Sequence, residues 1–369
     1  MINALPTAEQ RLQQIASDRH AVFVEGRSRA GRDAGEWIES SWLRCLARGQ
    51  RPQQRVSFDA IPAQAPRRIE EANHTLIEAA RPVLTQLGRA LAHSRYFAVL
   101  TDTRGVVIGV DGPIDRSDRR ANVITRVGAD LSEPAIGTSA ISAALREHRA
   151  VWLHRGEHFF DDTSVYSCAG APLFGPDAQC IGMLDLTGID AIERPELMHL
   201  VSQSARSIEN ALTLRRPHSL LLRLNWPGYA IGGEFDGLVC LDADGAMISM
   251  NRVARVMLPD IGAAGETPMH GGGLFATPWA SVFDAADRGA AVAVTLWSGL
   301  TLQVLVQTAR GSRQPSSTAV RLPLRDVETA LIRKAVDEAH GNVMQAARVL
   351  GISRATVYRK LWQGRRRAV

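Results

Sequence analysis

The chain has 369 residues, 45% of them hydrophobic and 22% charged, with a formal net charge of +5. At roughly 100–200 residues per domain it holds several globular units, and its composition excludes a fibrous or low-complexity chain. No apolar run reaches the ~18 residues of a membrane helix, and "MINALPTAEQRLQQ" is not a secretory signal. The four cysteines (Cys45, Cys168, Cys180 and Cys240) form no CxxC pair. Reduced thiols in a cytoplasmic protein with no membrane partner are therefore expected.

Residues 7–48 read as helical around a charged break, "EGRSRAGRDAG" (25–35), and the second helix stops at Gly49. "QRPQQRVSFDAIPAQAP" (50–66) is a connector, and one long helix is expected from about Arg67 to Ala92. "YFAVLTD" (96–102) and "VVIGV" read as strands joined by a turn. "GTSAISAALREH" (137–148) is a helix with Thr138 or Ser139 as N-cap. "AVWL" (150–153), "SVYSCAGAPLF" (164–174) and "QCIGMLDLTG" (179–188) are three further strands, followed by a long helix over 193–216. Such an order is that of an α+β domain. A smaller α+β unit follows: strand, "DADG" turn and strand over 235–251, the short helix "RVARVML", then a hairpin from "AVAVTLWSG" and "LTLQVLVQTAR". "GSRQPSSTAVRLP" (311–323) is a polar linker.

Charge is concentrated at the end of the chain. From Pro323 to Val369 there are ten Arg/Lys against four Asp/Glu, a net +6, while the remainder is near neutral at −1. That is the electrostatic footprint of a nucleic-acid-binding segment. Three helices fit it: about Leu324–Ala339, then Asn342 to Leu350 with Gln345 completing a capping box, then Ser353 to about Gln363. Gly351 supplies the left-handed residue at the turn. Ala347, Leu350, Ile352, Val357 and Leu361 form the apolar pattern of a helix-turn-helix core.

At 100° per residue, Val357 and Leu361 define the buried face of the third helix, and Ala355 and Arg359 point the opposite way. Ala355, Thr356 and Arg359 are the expected base readers in the major groove, as a methyl, a hydroxyl and a guanidinium able to grip guanine. Arg354, Tyr358, Lys360, Arg365, Arg366 and Arg367 are placed for phosphates, with the caps Asn342 and Ser353 beside them.

"NVMQAARVLGISRATVYRKL" closely resembles the Fis-type helix-turn-helix that ends bacterial enhancer-binding (NtrC-type) transcription factors. Upstream, "SWLRCLARG" (41–49), "GADLSEPAIGTSAISAAL" (128–145), "GEHFF" (156–160), "CAGAPLF" (168–174) and "IGMLDLTG" (181–188) resemble the N-terminal and GAF sensor segments of the acetoin catabolism regulator type. Residues 233–310 resemble a shortened PAS domain. The resemblance implies an α+β multidomain chain: an N-terminal helical segment (1–66), a GAF-like sensor (67–216), a PAS-like domain (233–310), a linker (311–322) and an all-α Fis-type DNA-binding domain (323–369).

Such relatives place an AAA+ ATPase between sensor and DNA reader, with a G-x-x-x-x-G-K-[ST] loop whose lysine meets the phosphates. This chain has two lysines, Lys334 and Lys360, both in the helix-turn-helix, and no GAFTGA loop. The expectation is thus a cytoplasmic homodimer that tunes its occupancy of an inverted-repeat operator on double-stranded DNA, without ATP-driven activation of sigma-54 polymerase. RNA polymerase and full-length relatives are its further expected partners.

A GAF-like domain offers a pocket for an unidentified small-molecule effector, with Tyr96, Trp152, Phe159, Tyr166 and Cys168 as its expected lining. No catalytic residue, metal ligand or cofactor is expected. Other readings stay open. "HRGEH" (154–158) matches the H-x-x-E-H zinc pattern, which requires a continuous helix; here a loop is expected. "HGGG" (270–273) lacks a companion nucleophile elbow. Cys168 and Cys180 admit a redox GAF enzyme of the methionine-sulfoxide-reductase type. An interaction protein antagonising full-length sigma-54-dependent regulators is a third class.

Overall fold

The computed structural model describes residues 7–26, 36–58, 61–258, 270–278, 282, 290–308 and 343–349. The chain divides into two compact units, Met1–Ala309 and Arg310–Val369. The first is α+β and contains two five-stranded antiparallel sheets. Among the described residues no helix is long and apolar enough to cross a membrane.

The first sheet is built from β1 (Tyr96–Thr101), β2 (Val107–Asp111), β3 (Val151–His154), β4 (Tyr166–Phe174) and β5 (Cys180–Ile189), in the order β2-β1-β5-β4-β3. β1 and most of β4 and β5 are buried on both faces. That explains why "YFAVLT" and "CAGAPL" read as continuous apolar runs rather than as alternating ones. One face carries Ala98, Leu100, Leu184 and Leu186 and packs under α4 (His74–Ala90) and α8 (Leu197–Leu214). From α8, Val201 and Ile208 are fully buried there, each contributing about 1.5–3 kcal/mol of apolar transfer.

The other face carries Phe97, Val99 and Met183. It is covered by α2 (Glu36–Ala47), α5 (Arg119–Ile124) and α7 (Ala140–Glu147), with α1 (Ala8–Phe23) against the segment after β3. Val22, Trp37, Ile38, Trp42 and Cys45 belong to this core, so the N-terminal helices complete it. Ser139 is the N-cap of α7, accepting from the Ser142 N–H, as the sequence suggests.

The long helix expected from Arg67 is two helices, α3 (Ala65–Ala72) and α4, meeting at Asn73. The Asn73 amide donates to the Ile69 carbonyl at 2.9 Å, which competes with continuation of the helix. The short helices α5 and α6 (Glu133–Ile136) have no counterpart in the sequence pattern; at six and four residues they are too short for a periodic signal.

The second sheet runs β8-β7-β6-β10-β9: β6 (Leu220–Asn225), β7 (Gly237–Leu241), β8 (Met247–Met250), β9 (Val292–Thr295) and β10 (Thr301–Thr308). Its middle strand, β6, precedes the region at which the sequence places this unit. "LLLRLN" shows no clean alternation because Leu222 and Leu224 enter the main core of this sheet, while Leu221 packs with Leu238, Cys240 and Leu214. α9 (Arg252–Met257) is capped by Asn251, which accepts from the Ala254 N–H.

The β1–β2 and β7–β8 hairpins use one device. Asp102 accepts from the N–H groups of Arg104 and Val106, and Asp242 from those of Asp244 and Ala246. Gly105 and Gly245 take the positive φ, 82° and 84°, that a side chain would disfavour. α8 is shared between the sheets: Asn210 accepts from the Asn251 amide and donates to the Glu234 carbonyl, and the Thr213 carbonyl accepts from Ser249.

Candidate effector site and DNA-binding segment

On the face of the first sheet covered by α2 and α7, three polar side chains lie on adjacent strands. Thr187 and Asp185 are two residues apart on β5 and so share a face; Cys168 is the register partner of Thr187 on β4. Cys168 Sγ is 3.7 Å from Thr187 Oγ1, and the Thr187 hydroxyl donates to Asp185 Oδ2. Asp185 is fully buried, and Oδ1 has no hydrogen-bond partner among the described residues. Burial pushes this carboxyl up to about 7, against the hydrogen bonds from Thr187 and Cys168. Beside it sits Gly170, the β4 register partner of Asp185. A Cβ there would lie 2.7 Å from Met183 Cε and 3.0 Å from the Ala140 carbonyl, so the glycine lets α7 come down onto the sheet.

Residues 154–163 close this face. "HRGEH" is the end of β3 followed by a 3-10 turn, Arg155–Glu157. His154 Nδ1 is 2.7 Å from Ser167 Oγ. His158 Nδ1 donates to the Arg155 carbonyl at 2.9 Å, which leaves Nε2 as an acceptor; Nε2 is buried and has no partner among the described residues. Burial pushes the imidazole down to about 4, so it is neutral. Its ring meets that of Tyr166 edge-on at 6.4 Å.

The N-terminal helices hold this segment in place. From α1, Arg19 donates to the carbonyls of Gly156, His158 and Phe159 and to the Asp161 carboxylate, and Arg11 pairs with Glu157. From α2, the Trp42 indole donates to the Glu157 carbonyl at 2.9 Å. Glu133, at the start of α6, is gripped from the same helix and the turn beyond it. Arg44 donates to both its oxygens, Arg48 to Oε1 and Ser41 to Oε2, at 2.7–3.0 Å. Burial alone would raise the Glu133 pKa, but these donors outweigh it and hold the carboxyl at about 2.

The five expected lining residues divide between the two faces of the sheet. Phe159, Tyr166 and Cys168 lie in the core with Asp185's neighbours. Tyr96 lies in the core under α4 and α8, and Trp152 packs against it. The Tyr96 hydroxyl donates to the Ile192 carbonyl and the Trp152 indole to Glu193. Asp185, Thr187 and His158 are not among the residues the sequence pattern singles out. A signal existed for the first two: "LDLTG" inserts two polar residues at period 2 into an apolar strand, which puts both on one face.

Cys168 and Cys180 are not a redox pair. Their register partners on the facing strands are Thr187 and Phe174, which puts Cys180 opposite a residue six positions along β4 from Cys168, about 20 Å away at ~3.3 Å per residue. Burial pushes both thiols up, the opposite of what a reactive thiolate needs.

In the second unit the described element is α10 (Val343–Val349), on which Ala347 is buried and Met344 is exposed. Asn342, Ser353, Arg354, Ala355, Thr356, Tyr358, Arg359, Lys360, Arg365 and Arg366 lie outside the described residues.

Residues 323–363 match the bacterial regulatory protein Fis family, and residues 38–210 match the MimR N-terminal domain. The chain is 29% identical over 308 residues to the acetoin catabolism regulatory protein of Cupriavidus necator, covering 78% of this chain and 45% of that one. It is 30% identical over 193 residues to a signal-transduction and transcriptional-control protein of Clostridium beijerinckii, covering 52% and 30%. To the acetoin dehydrogenase operon transcriptional activator AcoR of Bacillus subtilis it is 25% identical over 269 residues, covering 70% and 41%. The chain therefore spans less than half the length of these curated relatives, whose names are those of transcriptional regulators and not of enzymes. Among solved structures, the Escherichia coli DhaR(N)–DhaL complex is similar with a TM-score of 0.45 and 15% identity, over 73% of this chain and 99% of that one.

Proposed function

We propose that this chain, which joins a MimR-type N-terminal domain to a Fis-family helix-turn-helix, is a DNA-binding transcriptional regulator tuned by a small-molecule effector. The match of residues 323–363 to the Fis family carries the DNA-reading half of the proposal. Ala355, Thr356 and Arg359 read base edges. Arg354, Tyr358, Lys360, Arg365 and Arg366 contact phosphates, and Asn342 and Ser353 cap the two helices. The operator is an inverted repeat read by a homodimer. RNA polymerase and full-length relatives are its other protein partners. With Lys334 and Lys360 as its only lysines, the chain has no Walker lysine, so regulation proceeds without ATP-driven sigma-54 activation.

The effector half is supported by the buried Asp185 Oδ1 and His158 Nε2, two acceptors without partners among the described residues, on the side of the sheet roofed by α2 and α7. Leaving a buried polar atom unpaired costs about 1–3 kcal/mol. A ligand with a hydroxyl donor on a small apolar body would recover that cost beside Phe159, Tyr166 and Cys168. Acetoin, named in two of the relatives, carries such a hydroxyl and is the first compound to test. Tyr96 and Trp152 are proposed to hold the opposite face against α8 and to transmit the change from there.

The test is a fluorescence-anisotropy titration against the region upstream of the chain's own gene, with an unrelated fragment as competitor. Arg359→Ala is expected to lose about 1–3 kcal/mol of specific binding, roughly 5- to 150-fold, at unchanged non-specific affinity. Equal competition by both fragments, with Arg359→Ala binding like the parent, would leave only counterion-driven attraction and end the proposal.

A further inference from the structure

A cavity of about 360 Å³ lies on the α8 side of the first sheet, away from Asp185. Ala171 of β4 contributes to its floor. Arg206 and Glu209, one turn apart on α8, form one wall, and Trp226 after β6 together with Arg252 and Val256 of α9 forms the other. It is thus built between the sensor sheet and the second sheet, by elements of the same compact unit. Its volume is at the lower end of small-molecule pockets, about 300–1,000 Å³.

The charges in it are unbalanced. Arg206 lies over the Phe235 ring at 4.7 Å and Arg252 over the Phe174 ring at 4.6 Å. Neither guanidinium forms an ion pair or hydrogen bond among the described residues. The acid lining the cavity, Glu209, accepts the Phe174 N–H at 2.9 Å and feels the charges of Arg252 and Arg206, neither of which forms a hydrogen bond or ion pair with it among the described residues. Burial pushes its carboxyl up to about 7, so near neutral pH it offsets the arginines only in part. The remaining lining is mostly apolar and includes Trp226, Val253, Val256 and Met257.

We propose that this cleft binds a small organic carboxylate, its carboxyl group held by Arg206 and Arg252 and its apolar body against Trp226 and Val256. A guanidinium presents paired donors in the geometry of a carboxylate. Two of them on facing helices give the anion a contact on each wall, so binding holds α8 to α9. The site is independent of the effector reading: it uses different residues and the opposite face of the first sheet.

The experiment is isothermal titration calorimetry of the full chain with benzoate, hexanoate and the neutral benzyl alcohol. Expected is binding of at least one carboxylate at millimolar affinity or tighter, with no heat from the alcohol. Arg206→Gln and Arg252→Gln should each weaken it about tenfold, the share of one charge-assisted contact, and the double variant should abolish it. Val256→Trp, at a position 74% exposed and so tolerant of bulk, should block the cleft. Circular dichroism melting of each variant checks the fold. Equal binding of benzoate and benzyl alcohol, carboxylate binding that survives in the double variant, or no heat from either carboxylate at millimolar concentration overturns the proposal.

Discussion

Glu133→Ala is expected to lower the melting temperature of the first unit by several degrees. The Glu133 side chain is 9% exposed and receives two arginines and a serine. Truncating it strands Arg44 and Arg48 beside a hole and unlatches α2 from α6. Removing one partner of a fully buried pair costs about 3–5 kcal/mol. Because the two arginines are 24% and 41% exposed, water recovers part of that, and about 2–3 kcal/mol is expected. At about 2–4 °C per kcal/mol for a domain of this size, melting should fall by roughly 4–12 °C. The pH dependence has a definite sign. The carboxyl is held at about 2, below its ordinary 4.5, so its stabilisation is present above the ordinary value and is lost as pH falls from there through about 2. The deficit of the alanine variant should be full at pH 7 and shrink toward pH 3. A deficit that is the same at both would mean lost packing alone. Glu133→Gln, which keeps the shape and removes the charge, separates these two contributions.

Asp185→Asn carries the opposite sign. Burial holds this carboxyl at about 7 against an ordinary 3.8. Below the ordinary value the folded and unfolded chains both hold the proton and there is no penalty. As pH rises, the unfolded chain ionises first, and stability drains away until the folded carboxyl also ionises near 7. The asparagine has no such slope. Measured against the parent, it should therefore gain stability between pH 4 and 8, by up to about 4 kcal/mol. The quantity to follow is how the difference between the two melting temperatures changes with pH, since constant effects of the amide cancel in that change. A flat difference would show that the carboxyl ionises like an exposed one. In the DNA-binding assay the same variant should still bind operator while losing its response to an effector, because the amide cannot ionise to present two acceptor oxygens. A retained response would move the effector elsewhere.

The sequence by itself determined the elements whose signals are local. The apolar runs of β1, β4 and β5, the Ser139 cap of α7, the Asp-Gly turns and the basic end of the chain are each written within a few residues, so propensity and pattern suffice to read them. It also contained the Asp185–Thr187 pair, since alternation along a strand fixes that both share a face. β6 escaped because a strand packed on both sides by leucines has no polar face to mark its period. Asn73 divides one apparent helix because its side chain competes for a backbone carbonyl, a choice that periodicity does not reveal. Only the tertiary structure decided which face each strand residue meets. Tyr96 and Trp152 turn to α8 while Phe159, Tyr166 and Cys168 turn to α2 and α7, because the crossing of helices over a sheet is set by contacts far apart in the chain. The same holds for the pKa of Asp185, for the orphaned nitrogen of His158 and for the placing of Arg206 and Arg252 around one cavity. Each depends on burial and on neighbours brought from 15 to 50 residues away or more, and desolvation is a property of the packed interior, which no short stretch of sequence contains.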